Sequence, residues 1–319
     1  MSRVAIIIPT YNRADLIGET IESVLAQTYE DIEIIVVDDG STDNTREVVE
    51  SFGDRVRYLW QPASGGPASP RNLGAQSTTA EFLTFVDSDD LLLPYKTESQ
   101  MRYLEVHPER DLVFGDCAYM GFDGREIPGS TTFTEKQWNG DPSLSQLLRR
   151  NVITVVAPLV RRSAFERAGG FSASVHHEDY DLWLRIAARG SIAGTNEIVA
   201  KIRLGPLRRS VDRIAMVRGD VEVFERFQRR FPELMECHGE IVRRRLTIAY
   251  LYLGIALHDE GQRLASMRAY RSALRYDRFN HAAYIRLMLL FLSDRQIAAL
   301  KRQRDRIRTE RPQTSWIKV

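Results

Sequence analysis

Apolar positions in the first ninety residues fall into short continuous runs separated by stretches with helical spacing. Val4 to Ile8 is one such run, rich in β-branched residues and ended by Pro9, and it reads as a buried parallel strand. After the polar Thr10-Tyr11-Asn12-Arg13, the apolar residues Ile17, Ile21, Val24 and Leu25 recur at helical spacing. Ile32 to Val37 repeats the strand pattern and stops at Asp38-Asp39-Gly40-Ser41. Asp43 is placed to cap a helix carrying Val48, Val49 and Phe52. A weaker strand, Val56 to Trp60, leads into a Gly/Pro-rich loop and a helix opening near Arg71-Asn72-Leu73-Gly74. The strand Phe82 to Val86 then ends in Asp87-Ser88-Asp89-Asp90, three carboxylates within four positions.

Strand and helix in alternation predict a doubly wound α/β sheet that is largely parallel. Ligands of such sheets bind outside the carboxyl ends of the strands. Thr10-Tyr11, Asp38-Asp39 and Asp87/Asp89 all fall just past strand ends, so one cleft should collect them. Further on, Lys96 to Val106 and Ser143 to Arg150 read as helices, and Leu112 to Met120 and Val152 to Val160 as strands. Gly121 to Gly124 reads as a hairpin turn, and a helix starts near Glu178-Asp179. From about Leu207 strand signals vanish. Val221 to Phe231, Ile241 to His258, Arg263 to Tyr276 and Ala282 to Leu292 read as helices. The expected division is residues 1–205 as an α/β domain and 206–319 as a helical C-terminal region with a basic tail. Tyr250, Leu253-Gly254, Gly261, Tyr270 and Ala273 give one hairpin that resembles a tetratricopeptide unit, and a single copy forms no array.

Charge sharpens this division. The net charge of +1 conceals 17 Asp and Glu against 7 Lys and Arg in residues 1–100, and 26 Lys and Arg against 13 Asp and Glu in residues 201–319. Such asymmetry points to modules with different partners. Two cysteines far apart supply no disulfide framework. No basic leader precedes Val4, and the longest apolar run, Leu287 to Leu292, is too short to cross a bilayer. The expectation is a cytoplasmic protein, at most peripheral at the inner membrane face. Residues Arg295 through Lys318 carry eight basic side chains, which fit either a solvated helix face or an anionic membrane surface. Few aromatics accompany them, which argues against nucleic acid as a partner.

Clustered carboxylates repel unless something cationic meets them, and an oxygen-only set suits a hard divalent ion that keeps positions open for phosphate oxygens. Alone, the acidic run is better explained by a solvated turn capping the next helix. Its company changes the reading. Val4 to Arg13, Val36 to Asp43, Arg71 to Gly74, Asp87-Ser88-Asp89 and Glu178-Asp179-Tyr180-Asp181-Leu182-Trp183 occur in that order. Together they closely resemble the family 2 glycosyltransferases, inverting enzymes of the GT-A fold, over roughly residues 3–204.

That resemblance implies a nucleotide-diphosphate sugar donor, UDP-linked by expectation, with Mg²⁺ or Mn²⁺ as cofactor and a glycan, lipid-linked or other hydroxyl as acceptor. Tyr11 matches the position that lies against the base, Asp39 the acceptor of a base hydrogen bond, and Arg71 the residue near base edge or phosphates. Asp87 matches the acid shared between ribose and metal, and Asp89 the metal ligand. Pro9, Thr10, Arg13, Ser88 and Arg203 complete the implied donor-binding set. Asp179 matches the general base, supported by Glu178. Asp90 is expected only to cap the segment that follows. His176 and His177 read as polar loop residues, and Trp183 as either core or a sugar platform. Trp60 and Trp138 are candidates for an acceptor cleft.

One departure stands out. Where many members carry an Arg-x-His segment, this chain has Arg203-Leu204-Gly205. Gly205 ligates nothing, so diphosphate handling is expected to fall to Asp89, Arg203, Arg208 or Arg209. Two other classes compete with a transferase: a transferase-like binding module without catalysis, and a sugar nucleotidyltransferase. The second wants a glycine-rich basic loop after the first strand, and Pro9-Thr10-Tyr11-Asn12-Arg13 is not one.

Overall fold

The computed structural model describes residues 2–133, 144–173, 176–205, 213–291 and 296. Trp138, Arg208, Arg209 and the basic residues of 295–318 lie outside them. The described chain forms two compact units, Met1–Val242 and Arg243–Val319.

In the first unit, β1 (Val4–Thr10), α1 (Ile17–Leu25), β2 (Ile32–Asp38), α2 (Thr45–Glu50), β3 (Arg57–Trp60), α3 (Ala68–Gln76) and β4 (Phe82–Phe85) follow the predicted alternation. They are followed by β5 (Leu91–Leu92), α4 (Lys96–Val106), β6 (Leu112–Gly121), β7 (Glu126–Thr131) and α5 (Leu144–Arg149). Next come β8 (Pro158–Arg161), α6 (Arg162–Ala168), α7 (Glu178–Ala187), β9 (Ile192–Leu204) and α8 (Arg213–Arg230). Among the described residues the strands make one sheet in the order β3-β2-β1-β4-β8-β6-β9-β5, with β7 on β6. Every residue of β1 is buried, as its continuous apolar run requires.

The sheet is mixed, as the GT-A resemblance implies, rather than parallel throughout as the alternation alone predicts. Strands β3, β2, β1 and β4 run parallel, but β8 enters antiparallel between β4 and β6. β8 is also shorter than the strand expected from Val152. Asn151 Oδ1 accepts the Ile153 N–H at 3.2 Å and Ala157 N–H turns back to the Thr154 carbonyl at 3.0 Å, so the backbone is folded into turns before Pro158. The apolar residues Val152, Ile153, Val155 and Val156 are buried as irregular chain, which is why apolar character alone suggested a strand.

Gly74 shows why the Arg71–Gly74 motif ends in glycine. A Cβ there would lie 2.5 Å from Ile7 Cγ2 and 3.2 Å from Val37 Cγ2. Its absence lets α3 settle directly on β1 and β2, which fixes how far Arg71 reaches toward the strand ends.

The second unit holds most of α9 (Met235–Asp259), then α10 (Arg263–Tyr276) and α11 (His281–Leu289). A Cβ at Gly254 would fall 2.4 Å from the fully buried Tyr270 ring, so the close approach of α9 and α10 depends on that glycine. Ser266 Oγ donates to the Gly254 carbonyl at 2.7 Å, and Asn280 caps α11 by accepting the Ala283 N–H at 2.9 Å. No helix among the described residues is long and apolar enough to cross a membrane.

Candidate active site

Past the carboxyl ends of β1, β2 and β4 lies a cavity of about 490 Å³. Pro9, Thr10, Tyr11, Arg13, Asp39, Arg71, Asp87, Ser88 and Asp89 all line it. The predicted donor residues therefore converge, with the exception of Arg203.

Two loops are stapled together to form one wall. Asn12, in the left-handed region at φ 50°, donates its N–H to Ser41 Oγ at 2.9 Å, and its side-chain oxygen accepts the Thr42 N–H at 2.8 Å. Arg13 N–H donates to Thr45 Oγ1 at 2.8 Å, and Ala14 N–H to Asp43 at 3.2 Å. Asp43 also accepts the Thr45 N–H at 3.1 Å, so it braces the loop ahead of α2 while Asn44 occupies the cap position proper. Asp38 is consumed by structure as well, accepting Ser41 N–H at 2.7 Å and Tyr58 O–H at 2.8 Å. Of the two adjacent acids, only Asp39 faces the cavity. Ser64 binds it through N–H at 3.0 Å and Oγ at 2.9 Å, and Gln61 Nε2 binds the same carboxylate. Thr10 is buried and its hydroxyl has no protein partner among the described residues, which leaves a polar atom for a ligand to satisfy.

Arg71 is the centre of the arrangement. Its buried guanidinium meets Asp87 at 2.6 Å on one side and Glu178 at 2.6 Å on the other, and lies over the Phe171 ring at 5.2 Å. Burial works against its charge, but Asp87 and Glu178 outweigh burial and hold it protonated. Phe171 is locked in turn: Asn72 exchanges two hydrogen bonds with its backbone, at 2.8 and 2.9 Å, and its ring packs on Phe85 and Trp183. Trp183 is fully buried, which assigns it to the core rather than to a sugar platform. Trp60 stands exposed at the end of β3.

Glu178 and Asp179 begin α7. Burial, and then the neighbouring Glu178 charge, push the Asp179 carboxyl up to about 6, while Arg71 pulls it the other way. A carboxylate held there is a competent proton acceptor near neutral pH. His177 faces away, its Nε2 3.0 Å from the Met216 carbonyl.

Arg203 does not reach the cavity. Its guanidinium donates to the Asp89 carbonyl at 3.0 Å, the Phe122 carbonyl at 2.9 Å and the Glu19 carboxylate at 2.5 Å, all behind the acidic turn. Asp90 is not a simple cap either: its carboxylate accepts the Arg203 N–H at 2.9 Å. Together they tie β9 to the Asp87–Asp90 turn and set the aim of Asp89. Gln61, Ser64 and Glu19 have partners in other elements and leave no local signal in the sequence, and Asn72, though inside the Arg71–Gly74 motif, had no role assigned to it there.

Among the described residues no group of three or more His, Cys, Asp and Glu could hold a metal alone. Asp87 and Asp89 supply two carboxylates on one turn, with Arg13 3.8 Å from Asp89. Two oxygen donors, with remaining positions filled by phosphate oxygens and water, fit a Mg²⁺- or Mn²⁺-type ion bound together with a diphosphate.

A mixed sheet with an acidic cleft past its parallel strand ends, followed by C-terminal helices, defines a GT-A fold protein. The family model for Glycosyl transferase family 2 matches residues 5–169, and the chain belongs to that family. An uncharacterized glycosyltransferase of Rickettsia typhi is 34% identical over 205 residues, covering 63% of this chain and 64% of that protein. The chain thus matches somewhat under two thirds of that relative's length. The Escherichia coli UDP-Glc:alpha-D-GlcNAc-diphosphoundecaprenol beta-1,3-glucosyltransferase WfgD is 33% identical over 205 residues, 63% of this chain and 77% of that protein. Staphylococcus aureus TarS 1–349 in complex with UDP-GlcNAc shares the fold at TM-score 0.66 and 19% identity, covering 91% of this chain and 89% of the other. The Pyrobaculum calidifontis mannosyltransferase PcManGT, in complex with GDP-Man and Mn²⁺, does so at TM-score 0.56 and 20% identity, covering 90% and 87%.

Proposed function

We propose that this glycosyltransferase moves a sugar from a UDP-linked donor to a hydroxyl of a lipid-linked glycan, with inversion at the anomeric carbon. The observation that carries the reading is the double ion pair of Arg71, which joins the donor-side acid Asp87 to the base segment at Glu178. Tyr11 offers a flat face for the base, and Thr10 and Asp39 offer hydrogen bonds to it or to the ribose. Asp89 and Asp87 would hold the divalent ion, which when bound neutralises charge on the departing diphosphate. Asp179 takes the proton from the attacking hydroxyl, and Glu178, fixed by Arg71, keeps that carboxyl's proton affinity high. One displacement needs no covalent enzyme intermediate.

The lipid-linked acceptor draws on the named activity of the Escherichia coli relative, and the UDP preference on that relative and the TarS complex. A thermal-shift screen of UDP-, GDP- and dTDP-sugars, each with and without Mn²⁺, tests the donor half. Mn²⁺-dependent stabilisation by UDP-sugars is expected. Equal stabilisation by all three, or none, would remove the donor assignment.

A further inference from the structure

Beside the active site, α7, α8 with the following Phe231, and the Gly169–Ser172 loop enclose a second cavity of about 440 Å³. Its size is within the range of small-molecule sites. Its lining carries four arginines, Arg185, Arg226, Arg229 and Arg230, against the single carboxylate Asp181. Asp181 is already committed to Arg185 at 2.7 Å, and that buried guanidinium also donates to the Ala168 and Gly170 carbonyls. Arg226 donates to Ser172 Oγ at 2.9 Å, and Arg230 to the Ala168 carbonyl at 3.2 Å. Arg229 pairs at 3.4 Å with Glu225, which is not part of the lining.

Four guanidinium groups against one carboxylate leave the lining net positive. Burial lowers the Arg185 guanidinium below its ordinary value; Asp181 opposes that shift, and Arg230 and Arg226 add smaller pushes in the same direction as burial. Apolar walls, Phe171, Leu184, Phe227 and Phe231, lower the local screening. Basic residues in the last turns of α7 and α8 complement the helix dipoles, which accounts for Arg185, Arg229 and Arg230 but not for Arg226.

The cavity also has a fixed relation to the base. Glu178, Asp181 and Arg185 fall at i, i+3 and i+7 on one face of α7. At 1.5 Å per residue, Arg185 is about 9 Å along the helix from the base Asp179. That separation is of the order of one sugar residue plus its attached phosphate.

We propose that the arginine-lined cavity between α7 and α8 binds a phosphoryl group of the acceptor, so that the acceptor sugar is presented to Asp179. Guanidinium forks match phosphate oxygens in geometry as well as charge. The proposal rests on the lipid-linked acceptor reading above.

Calorimetry on the full chain tests it, with UDP and Mn²⁺ kept saturating so that the donor cleft is filled. Inorganic pyrophosphate should bind as one equivalent and at least tenfold more weakly to Arg226→Gln/Arg230→Gln. Arg230→Gln alone, at an exposed position, should show part of the loss with an unchanged melting temperature. Pyrophosphate affinity that is absent in the wild type, or unchanged in both variants, overturns the site. Geranyl diphosphate separates the sources: tighter binding than pyrophosphate supports a lipid-borne phosphate, and equal or weaker binding overturns the acceptor role. If UDP fails to bind the wild type with or without Mn²⁺ while arginine-dependent pyrophosphate binding persists, the donor reading fails and the cavity stands.

Discussion

Arg71 and Glu178, 107 residues apart in the chain, meet at 2.6 Å inside the protein. The same guanidinium reaches Asp87 at 2.6 Å, so one buried cation holds the donor-side turn and the start of α7 in fixed relation. Removing it would leave Asp87 and the buried Glu178 without their shared cation, beside a third carboxylate, Asp179.

Arg71→Met is therefore expected to cost roughly 3–5 kcal/mol of stability, the scale for breaking one side of a buried ion pair. Arg71→Lys, which keeps the charge but loses the fork, should fall between that variant and the wild type. Chemical denaturation measures both. Arg71→Met melting like the wild type would mean the two ion pairs contribute nothing net.

Asp179→Asn should leave UDP affinity nearly unchanged and lower transfer about a hundredfold or more, the scale of lost general-base catalysis. A base acts deprotonated, and burial with Glu178 raises this carboxyl to about 6. Wild-type turnover should accordingly rise with pH through about 6 and level off above. Because Arg71 pulls that value down, the midpoint in Arg71→Lys or Arg71→Met should shift upward wherever the ion pair is weakened. A turnover profile flat between pH 5 and 8 would take Asp179 out of the base role.

Asp89→Ala should abolish the Mn²⁺-dependent part of UDP binding, since it leaves Asp87 as the only carboxylate of the pair that lines the cleft. Titration calorimetry with and without the ion reads this directly. Identical affinities in the variant and the wild type would refute the metal-ligand assignment.

Much of this site could be read from the sequence because its parts are strand-end motifs. A buried parallel strand must stop where its backbone leaves the sheet, and polar residues at or just past its end, such as Thr10, Asp39 and Asp87, line the shared cleft. The limits of the reading are equally physical. Arg203 has the residue type of a phosphate ligand, but sequence carries no information about which way its side chain leaves β9; Glu19 and the Phe122 carbonyl decide that. The antiparallel β8 was obscured because Val152 to Val156 are buried without being extended. Asp38 and Asp39 look alike in sequence, and only Tyr58 and Ser64, brought in from neighbouring segments, assign one to structure and the other to the cleft.

Lys96 supplies a separate test, away from the cleft. It is fully buried on α4, with Nζ donating to Thr84 Oγ1 at 2.8 Å and Gln100 Oε1 at 2.9 Å. Burial pushes its amine down to about 7, from an ordinary value of 10.5. Between those values the unfolded chain binds a proton that the folded protein does not, so this group makes stability rise with pH from about 7 to 10.5. Below 7 the folded amine is also charged, and its contribution stays at its least favourable level. Lys96→Met removes the titrating group while roughly preserving volume. Denaturation midpoints for the wild type should climb between pH 7 and 10 relative to the variant, by an amount of the order of a few kcal/mol in free energy. Parallel curves for the two proteins across that range would show that Lys96 titrates in the fold as it does in water.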